Sequence, residues 1–469
     1  MRILLINPPA KNVISSEIPA FVNREIGLLP PLGLMYIASY LMKDGGHEVK
    51  ILDALADRLD YSGIGAQIER YNPDLLGITT YTNNLLDVIA VANLAKEINQ
   101  NIHVCLGGPH IKAFPLETIN FSSVDSVIPD AEELVFSALA KTIEQKKRPY
   151  EIRGVIFKDN GRIIDTGIEE RVSDLDSMPF PARNLLNPKN YRYILSKEIN
   201  ITTMLTSRGC PYQCIFCSTP KGPHRARSPA NIVEEMRECA KLGSDEIHFV
   251  DDTFNVSSGR VLDICEEITR TKLKINWSFR GRVDTVTYEM LAKVKESGCV
   301  RINFGVESSS DEGLRELRKG ITIEEVERVF RWTRQIGITT VAYFMLGCPF
   351  EKKKEDILRT IDFAVKLNPD FALFNVLAVY PGTALYEKGM RSGMFKTDLW
   401  REFAVSPRKD FILPVWEEWL SRDELFSLLN TAYRRFYLRP RLILRTLGSA
   451  GDFRGLVRKL KAGISICKL

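Results

Sequence analysis

Several features that mark other classes of protein are missing from this chain of 469 residues. It has no apolar run of roughly 18 residues or more, the length that a membrane-spanning helix needs. The segment MRILLINPPA lacks the charged, apolar and small-residue regions of a secretory signal peptide. The nine cysteines are an odd number, so they cannot all pair within the chain. We therefore expect a cytoplasmic, reduced protein without structural disulfides.

The net charge is also low, and the charged residues are unevenly distributed along the chain. A formal charge of +5 gives no support for nucleic acid as a partner, and we expect none. From residue 431 to residue 469, ten Lys and Arg accompany one acid, Asp452. Leu, Ile and Phe recur among them at near-helical spacing, as in a helix packed on the protein or an amphipathic helix on anionic lipid. We favour peripheral membrane contact and a lipid-like substrate.

Residues 1–145 alternate short apolar strands with amphipathic helices. RILLIN, PDLLGITT and IHVCLGG predict strands, and LLDVIAVANLAKEIN predicts a helix. This alternation is typical of an α/β fold with a doubly wound parallel sheet, which binds ligands at the carboxyl ends of its strands. The candidate ligand-binding residues at such ends are Thr79, Thr80, Thr82, Gly107 and Gly108. The glycines would let a large ligand lie against backbone, and the threonine hydroxyls would hydrogen-bond it.

The rest of the chain divides into three predicted parts. Residues 146–195 form a connector whose hairpin RGVIFKDNGRIIDTG turns at Asn160-Gly161. Residues 196–395 contain six strand-helix units, which suit a partial (β/α)6 barrel better than a closed eightfold one. Residues 396–469 predict a small helical cap followed by the basic amphipathic tail.

Three cysteines follow the first strand of the predicted barrel, in the loop SRGCPYQCIFCS. The C-x3-C-x2-C spacing of Cys210, Cys214 and Cys217 can place three thiolates around one metal centre. Structural zinc needs a fourth ligand, for which His224 is the nearest candidate. A four-iron cluster held by three cysteines keeps one iron open to a substrate. The cysteine spacing alone is compatible with either a zinc site or a four-iron cluster.

The stretch CPYQCIFC, with Phe216 as its aromatic, resembles the signature of the radical S-adenosylmethionine (radical SAM) superfamily. The resemblance extends to the strand ends FVDDTF, RINFGVESSSDEGL and FMLGCPFEKKKED. It implies a [4Fe-4S] cluster on the three cysteines, whose open iron binds SAM and whose electron cleaves it to a 5′-deoxyadenosyl radical. It also implies SAM contacts at Phe216, at Asp251 and Asp252 facing the amino group, at Glu307, and at Gly347 near the adenine.

The segment before the barrel resembles the cobalamin-binding domain of one radical SAM subclass. The resemblance is carried by PPLGLMYIASYLMKDGGHEVKILDA, PDLLGITTYT and GGPH, and it implies cobalamin at the threonine and glycine strand ends. The chain departs from the family at three places. No Asp-x-His-x-x-Gly loop follows the first strand, so no ligand to cobalt is named, and Pro129 to Glu132 replace a common Gly-Glu-Gly-Glu. Phe350 and Lys352 stand where Gly and Thr are common.

Together these resemblances imply a cobalamin-dependent radical SAM methyltransferase acting on an unactivated carbon of a hydrophobic or natural-product substrate. A reductant such as flavodoxin or ferredoxin would supply electrons. Arg280 and Arg282 would meet the SAM carboxylate or a substrate acid, or form a salt bridge at the barrel rim. One alternative is an oxidative cyclase that uses the same cofactors on a tetrapyrrole. A second is a cobalamin sensor without catalysis, against which the intact cysteines argue.

Overall fold

The computed structural model describes residues 1–14, 27–43, 45–130, 132–169, 171–193, 200–218, 222–440 and 442. These residues form two compact units. The first contains the described residues between 1 and 15, 28 and 191, and 395 and 412, and the second contains the others. Within these ranges, no helix combines the length and apolar character needed to cross a bilayer.

The first unit is a seven-stranded sheet with an apolar core on each face. Its strands are β1 Arg2–Asn7, β2 Glu48–Asp53, β3 Leu75–Thr79, β4 His103–Gly107, β5 Ser126–Ile128, β6 Ile156–Asp159 and β7 Arg162–Asp165. Its helices are α1 Leu32–Lys43, α2 Tyr61–Tyr71, α3 Leu85–Ile98, α4 Pro109–Ala113, α5 Pro115–Ile119 and α6 Glu132–Glu144. The strand order is β2-β1-β3-β4-β5-β6-β7, with the first five parallel. Helices α2 and α3 cover one face and α1 and α6 the other, which confirms the doubly wound sheet.

The hairpin β6–β7 has the predicted turn. Asn160 and Gly161 both have positive φ, 47° and 77°, as a type I′ turn requires. Strand β6 pairs antiparallel with β5, so the hairpin extends the first sheet.

The second unit is a sheet of six parallel strands in sequential order. They are β8 Ile201–Met204, β9 Glu246–Phe249, β10 Asn276–Gly281, β11 Cys299–Glu307, β12 Thr339–Leu346 and β13 Phe371–Val376. Its helices are α7 Pro229–Lys241, α8 Ser258–Arg270, α9 Tyr288–Glu296, α10 Asp311–Glu316, α11 Ile323–Ile336, α12 Lys354–Leu367, α13 Ala384–Arg391 and α15 Arg422–Tyr437. The helices pack against one face of the sheet and form one large apolar core with it. Trp277 and Phe279 lie on this face. Ser278 and Arg280 alternate with them and lie on the other, concave face. The predicted partial barrel is confirmed.

Helix α15 covers the open edge of this sheet at β13. The hydroxyl of Tyr437 donates to the Ala372 carbonyl at 2.8 Å and accepts from the Ala372 amide at 3.2 Å. One helical turn earlier, the Tyr433 hydroxyl does the same for Phe374, at 3.1 and 3.4 Å. Tyr433 and Tyr437 thus hydrogen-bond backbone amides and carbonyls at the edge of the sheet that could otherwise pair with another strand.

The region predicted as a helical cap is divided between the units. Helix α14, Leu399–Val405, lies in the first unit, where Arg401 Nε is 3.2 Å from Glu117 of α5. Helix α15 lies in the second unit. The basic tail from residue 443 onward lies outside the described residues, so its predicted amphipathic helix stays a prediction.

A buried ion pair crosses the concave face near the strand starts. Arg301 Nη2 lies 2.5 Å from Glu246 Oε1, and the two side chains are 2% and 1% exposed. Ser278 Oγ donates to the same carboxylate oxygen at 2.7 Å and accepts from Arg301 at 2.9 Å. Such a pair is stable only while both partners are present.

Replacing Glu246 with Ala would remove the carboxylate that pairs with the buried Arg301 guanidinium. We expect the free energy of unfolding to fall by about 3 to 5 kcal/mol. The E246L/R301M double variant should recover most of this loss, because apolar side chains need no counter-charge. Glu296→Ala, which breaks an exposed pair with Lys293, is the matched control and should unfold like the wild type. Urea denaturation measures all three, and equal losses at Glu246 and Glu296 would contradict the prediction.

Candidate active site

The loop after β8 carries the three predicted cluster ligands. Cys210, Cys214 and Cys217 are partly exposed thiols, whereas Cys239 and Cys265, on helices, are buried thiols. Partial exposure on one loop suits thiolates that coordinate a shared group. Full burial suits cysteines that pack as small apolar side chains.

The same residues discriminate between the two metal centres. The described residues bring no three His, Cys, Asp or Glu side chains together around a single ion position. Structural zinc needs four converging ligands, so the alternative that adds His224 gains no support. In a [4Fe-4S] cluster each cysteine binds a different iron, so the sulfurs need not converge on one point. The residues present therefore fit the cluster.

The base of this loop is closed by backbone contacts. Ser207–Arg208 pairs antiparallel with Arg225–Ala226. Between them, Gly209 has φ 88°, and a Cβ there would lie 2.5 Å from the carbonyl oxygen of Pro223. Only glycine accommodates both the conformation and the close approach.

Asp251, predicted to face SAM, holds the end of β8. Its buried carboxylate accepts hydrogen bonds from the Thr206 amide at 2.6 Å and the Thr206 hydroxyl at 2.5 Å. The hydroxyl of Ser207 donates to it at 2.5 Å. These three hydrogen bonds position the start of the cysteine loop, and the contact of Asp251 with SAM stays a prediction.

The next two residues also contact the cysteine loop. Asp252 is exposed and accepts a hydrogen bond from the Gly209 amide at 3.1 Å. The hydroxyl of Thr253 lies 3.6 Å from the sulfur of Cys210. Asp252 is therefore the member of the predicted carboxylate pair that an amino group from solvent can reach.

Arg282 lies against the cysteine loop from the side of β10. Its guanidinium carbon is 3.6 Å from the ring centroid of Tyr212, a cation–π contact. Asp284 binds the guanidinium through both oxygens, each at 3.0 Å. The salt-bridge alternative for Arg282 is thus the one observed. Arg280 is exposed and forms no ion pair among the described side chains.

Glu307 and Lys319 form a second ion pair beside the loop. Lys319 Nζ is 2.8 Å from Glu307 Oε1 and 6.0 Å from the ring centroid of Phe216, and both charged side chains are 9% exposed. Glu307 has φ 71°, a conformation that costs a side chain of this kind strain. A Cβ at Gly305 would overlap with Glu307 Oε1 and lie 2.6 Å from Lys319 Nζ, so glycine makes room for the pair.

The two cations act on the central cysteine. Burial raises the pKa of the Cys214 thiol above its ordinary value, and the positive charges of Lys319 and Arg282 oppose that rise. Sequence reasoning missed Lys319, because it follows no strand end and no motif singles it out.

Gly347 and the missed residue Glu351 shape the turn after β12. Gly347 has φ 79°, and the side chain of Leu425 from α15 fills the space where a Cβ would lie, at 2.8 Å. Contact with α15 thus explains the glycine, and the adenine contact stays a prediction. Glu351 accepts from the amides of Gly347 and Cys348 at 2.7 and 2.9 Å and from the Thr360 hydroxyl at 3.0 Å. Burial raises the pKa of Glu351 to about 7.

In the first unit, the predicted cobalamin residues meet at the ends of β3 and β4. The Thr80 amide donates to the Gly107 carbonyl at 2.7 Å, and Thr80 is fully buried. Gly108 has φ 111°, and a Cβ there would lie 2.7 Å from the Thr80 carbonyl oxygen. Its amide donates to Glu132 at 2.9 Å. Gly107 and Gly108 thus allow the ends of β3 and β4 to pack closely, in addition to any contact that they make with a ligand.

The remaining threonines lie nearer the surface. Thr79 ends β3 half-buried, and the Thr82 hydroxyl lies 3.0 Å from Nδ1 of His110. Burial lowers the pKa of His110 to about 4, so its imidazole is neutral at physiological pH.

A buried acid that sequence reasoning missed holds the loop after β1. Asp87, on α3, accepts from the amides of Lys11 and Asn12, both within 3.2 Å, and from the Tyr61 hydroxyl at 2.5 Å. Its partners lie far away in sequence, so no local pattern marked it. This loop borders the strand ends where ligands of doubly wound sheets bind.

Two family models match the chain. The model of the radical SAM superfamily matches residues 204–364, and that of the B12 binding domain matches residues 24–140. An uncharacterized methyltransferase of Pyrococcus horikoshii is 32% identical, over 98% of this chain and 98% of that one. The anaerobic magnesium-protoporphyrin IX monomethyl ester cyclase of Rubrivivax gelatinosus is 26% identical, over 88% of this chain and 74% of that one.

A solved structure shares the fold. The radical SAM methyltransferase TsrM of Kitasatospora setae, with tryptophan and a SAM analog bound, has a TM-score of 0.67 at 20% identity, over 84% of this chain and 76% of that one. A second TsrM structure holds cobalamin and a [4Fe-4S] cluster. The domains and the full-length relative show that the cofactors are a [4Fe-4S] cluster, SAM and cobalamin, as predicted, and that the chain belongs to the cobalamin-dependent radical SAM enzymes.

Proposed function

We propose that the protein is a methyltransferase that adds a methyl group to an unactivated carbon. The observation that carries this is the likeness to a methyltransferase across 98% of both chains. Bound cluster and SAM supply a carbon-centred radical, and bound cobalamin supplies the methyl transfer. Cys210, Cys214 and Cys217 would hold the cluster, and the strand ends at Thr79 and Gly107 would border the cobalamin.

The charged side chains around the cysteine loop suit the amino acid end of SAM. That end carries an ammonium and a carboxylate, so it needs both an acceptor and a cation. Asp252 offers an exposed carboxylate, and the Glu307–Lys319 pair offers both charges next to Phe216. We assign the ammonium to Asp252 and the SAM carboxylate to Lys319.

The concave face of the second sheet indicates the kind of substrate. Asn303 donates from Nδ2 to the Tyr343 hydroxyl at 3.0 Å, while its buried Oδ1 has no partner among the described residues. His248, on the same face, likewise has a buried Nε2 without a described partner. Arg280 lies on the same face by strand alternation and forms no ion pair among the described side chains. This face therefore suits a substrate that carries a polar or acidic group beside its hydrophobic part.

An oxidative cyclase is the second candidate, and the likeness to the Rubrivivax gelatinosus cyclase supports it. Both candidates would cleave SAM to 5′-deoxyadenosine. Only the methyltransferase would also convert SAM to S-adenosylhomocysteine in step with product.

The stoichiometry of SAM products tests methyl transfer. We expect the reduced, reconstituted enzyme to form equal amounts of 5′-deoxyadenosine and S-adenosylhomocysteine with a cell extract as substrate source. Trideuterated methyl from labelled SAM should appear as one added CD3 in a metabolite. Cys214→Ala should abolish all three signals and the cluster absorbance, and Cys265→Ala, a buried cysteine outside the loop, should keep them. A product that loses hydrogen without gaining the label would contradict methylation.

Gly305→Ala tests the assignment of Lys319. The added methyl would displace the side-chain ends of Glu307 and Lys319, and because the two are nearly buried we also expect a loss of stability, which urea denaturation measures separately. Because an ion pair that binds a charged ligand would be lost, the Kd for SAM of the reconstituted enzyme should rise roughly tenfold or more. Gly33→Ala, which meets nothing within 4 Å, is the control. An unchanged Kd for SAM in Gly305→Ala would rule out the assignment.

We also propose a cytoplasmic enzyme whose basic tail contacts membranes. The six Lys and Arg after residue 442 would attract anionic lipid. The full chain should sediment with phosphatidylserine vesicles at low salt, and a chain ending at Leu442 should not. Equal sedimentation of both chains would refute the role of the tail.

A further inference from the structure

A surface pocket lies beside the cysteine loop, at the carboxyl ends of the strands of the second unit. Its volume is about 320 Å³, near the lower end of the range for small-molecule pockets, roughly 300 to 1,000 Å³. Its walls come from the segments that follow β8, β11, β12 and β13. The described residues that line it differ from those assigned above to the cluster and SAM, so it is a separate candidate site.

Part of the lining is apolar. Ile215, Leu317 and Pro349 contribute to it, together with the aromatic ring of Phe350. A Cβ at Gly313 would lie 2.6 Å from that ring, so the ring packs closely against the backbone of α10. Phe350 stands where Gly is common in the family, so this aromatic wall is a departure of the present chain. A flat ring of this kind suits an apolar or planar part of a ligand.

The polar part of the lining carries an excess of positive charge. Arg318, Lys388 and Arg391 contribute three cations and Glu316 one acid, which leaves a net charge of +2. All three cations are exposed, and none forms an ion pair among the described residues. Lys388 Nζ lies 5.6 Å from the ring centroid of Trp416, a contact that leaves its charge available to an anion. A concave site lined by one sign of charge attracts ligands of the opposite sign.

We infer that this pocket binds a small soluble phosphate monoester whose phosphate is attached to an apolar or planar group. A phosphate monoester carries about two negative charges at pH 7, which matches the net charge of the lining, whereas a carboxylate carries one. Arg318 and Arg391 supply planar guanidinium groups that suit phosphate oxygens, and Lys388 adds a point charge. The apolar part of the ligand would lie on Phe350. The inference goes beyond the proposed function, because it requires neither the cluster nor methyl transfer.

The pocket shares its floor with the middle of the cysteine loop. The Ile215 amide donates to the Leu317 carbonyl at 3.1 Å, and the Ile215 carbonyl accepts from the Leu385 amide at 3.0 Å. Because Ile215 and Leu317 both line the pocket, a bound ligand would cover this hydrogen-bonded part of the loop. Amide hydrogen exchange at Ile215 should therefore slow when the ligand binds.

Isothermal titration calorimetry of the full-length protein, without added cofactors, tests the site. Phenyl phosphate should bind the wild type, and in K388E/R391E its Kd should rise roughly tenfold or more, because two cations become acids. The variant K388R/R391K keeps both charges and should keep the wild-type Kd within about twofold. Inorganic phosphate, which lacks the ring, and benzoate, which lacks the second charge, should each bind the wild type several-fold more weakly than phenyl phosphate does.

The matched control is K241E/K274E. Both lysines are exposed and precede strands β9 and β10, at the other end of the same sheet, so this variant should bind phenyl phosphate like the wild type. A wild type that does not bind phenyl phosphate, or an unchanged Kd in K388E/R391E, would overturn the inference.

An anionic lipid offers the same phosphate chemistry, and vesicles of phosphatidic acid distinguish this source. The two charge-reversal variants change the net charge equally, so they should sediment equally with the vesicles if the pocket takes a soluble ligand. Weaker sedimentation of K388E/R391E than of K241E/K274E would assign the pocket to a lipid headgroup and overturn the soluble ligand.

Discussion

The position of the cysteine loop depends on the buried carboxylate of Asp251. A carboxylate away from water is stable only if donors satisfy its oxygens, and Thr206 and Ser207 provide three. These bonds tie the end of β8 to the loop after β9. The Thr206 carbonyl also accepts from Arg260 of α8 at 2.8 Å. Two strands and a helix therefore determine where the loop leaves the sheet, and so where the three cysteine thiols lie.

In the second sheet, the two faces have different roles, and so do the two ends of the strands. Strand alternation sends Trp277 and Phe279 into the helix-covered core and Ser278 and Arg280 to the concave face. Near the strand starts, that face is closed by the buried Glu246 ion pair, which supports the fold. At the strand ends, the charged side chains face the cysteine loop. Because an open barrel has two edges, it also needs α15 to cover β13, and this requirement links the C-terminal helix to the stability of the site.

The sequence predicted the elements whose signals are local. Cysteine spacing, strand alternation and the Asn160-Gly161 turn depend on near neighbours, and the structure contains the predicted sheets and hairpin. Side-chain roles depend on distant neighbours and were not predictable in the same way. Asp87 binds Asn12 across 75 positions, and Lys319 meets Glu307 only because α10 folds back between them. The packing of Gly347 against Leu425 of α15 is likewise invisible in the sequence around it.

The cysteine loop is held along its length by contacts of two kinds. Asp252 accepts from the Gly209 amide before the first cysteine, and the Glu307–Lys319 pair lies beside Phe216. Between Cys214 and Cys217, Ile215 is held from both directions by backbone hydrogen bonds, to the Leu317 carbonyl and from the Leu385 amide. These backbone contacts fix the middle of the loop, as Asp251 fixes its start, so the three thiols are positioned by the fold of the second unit on both sides of the motif.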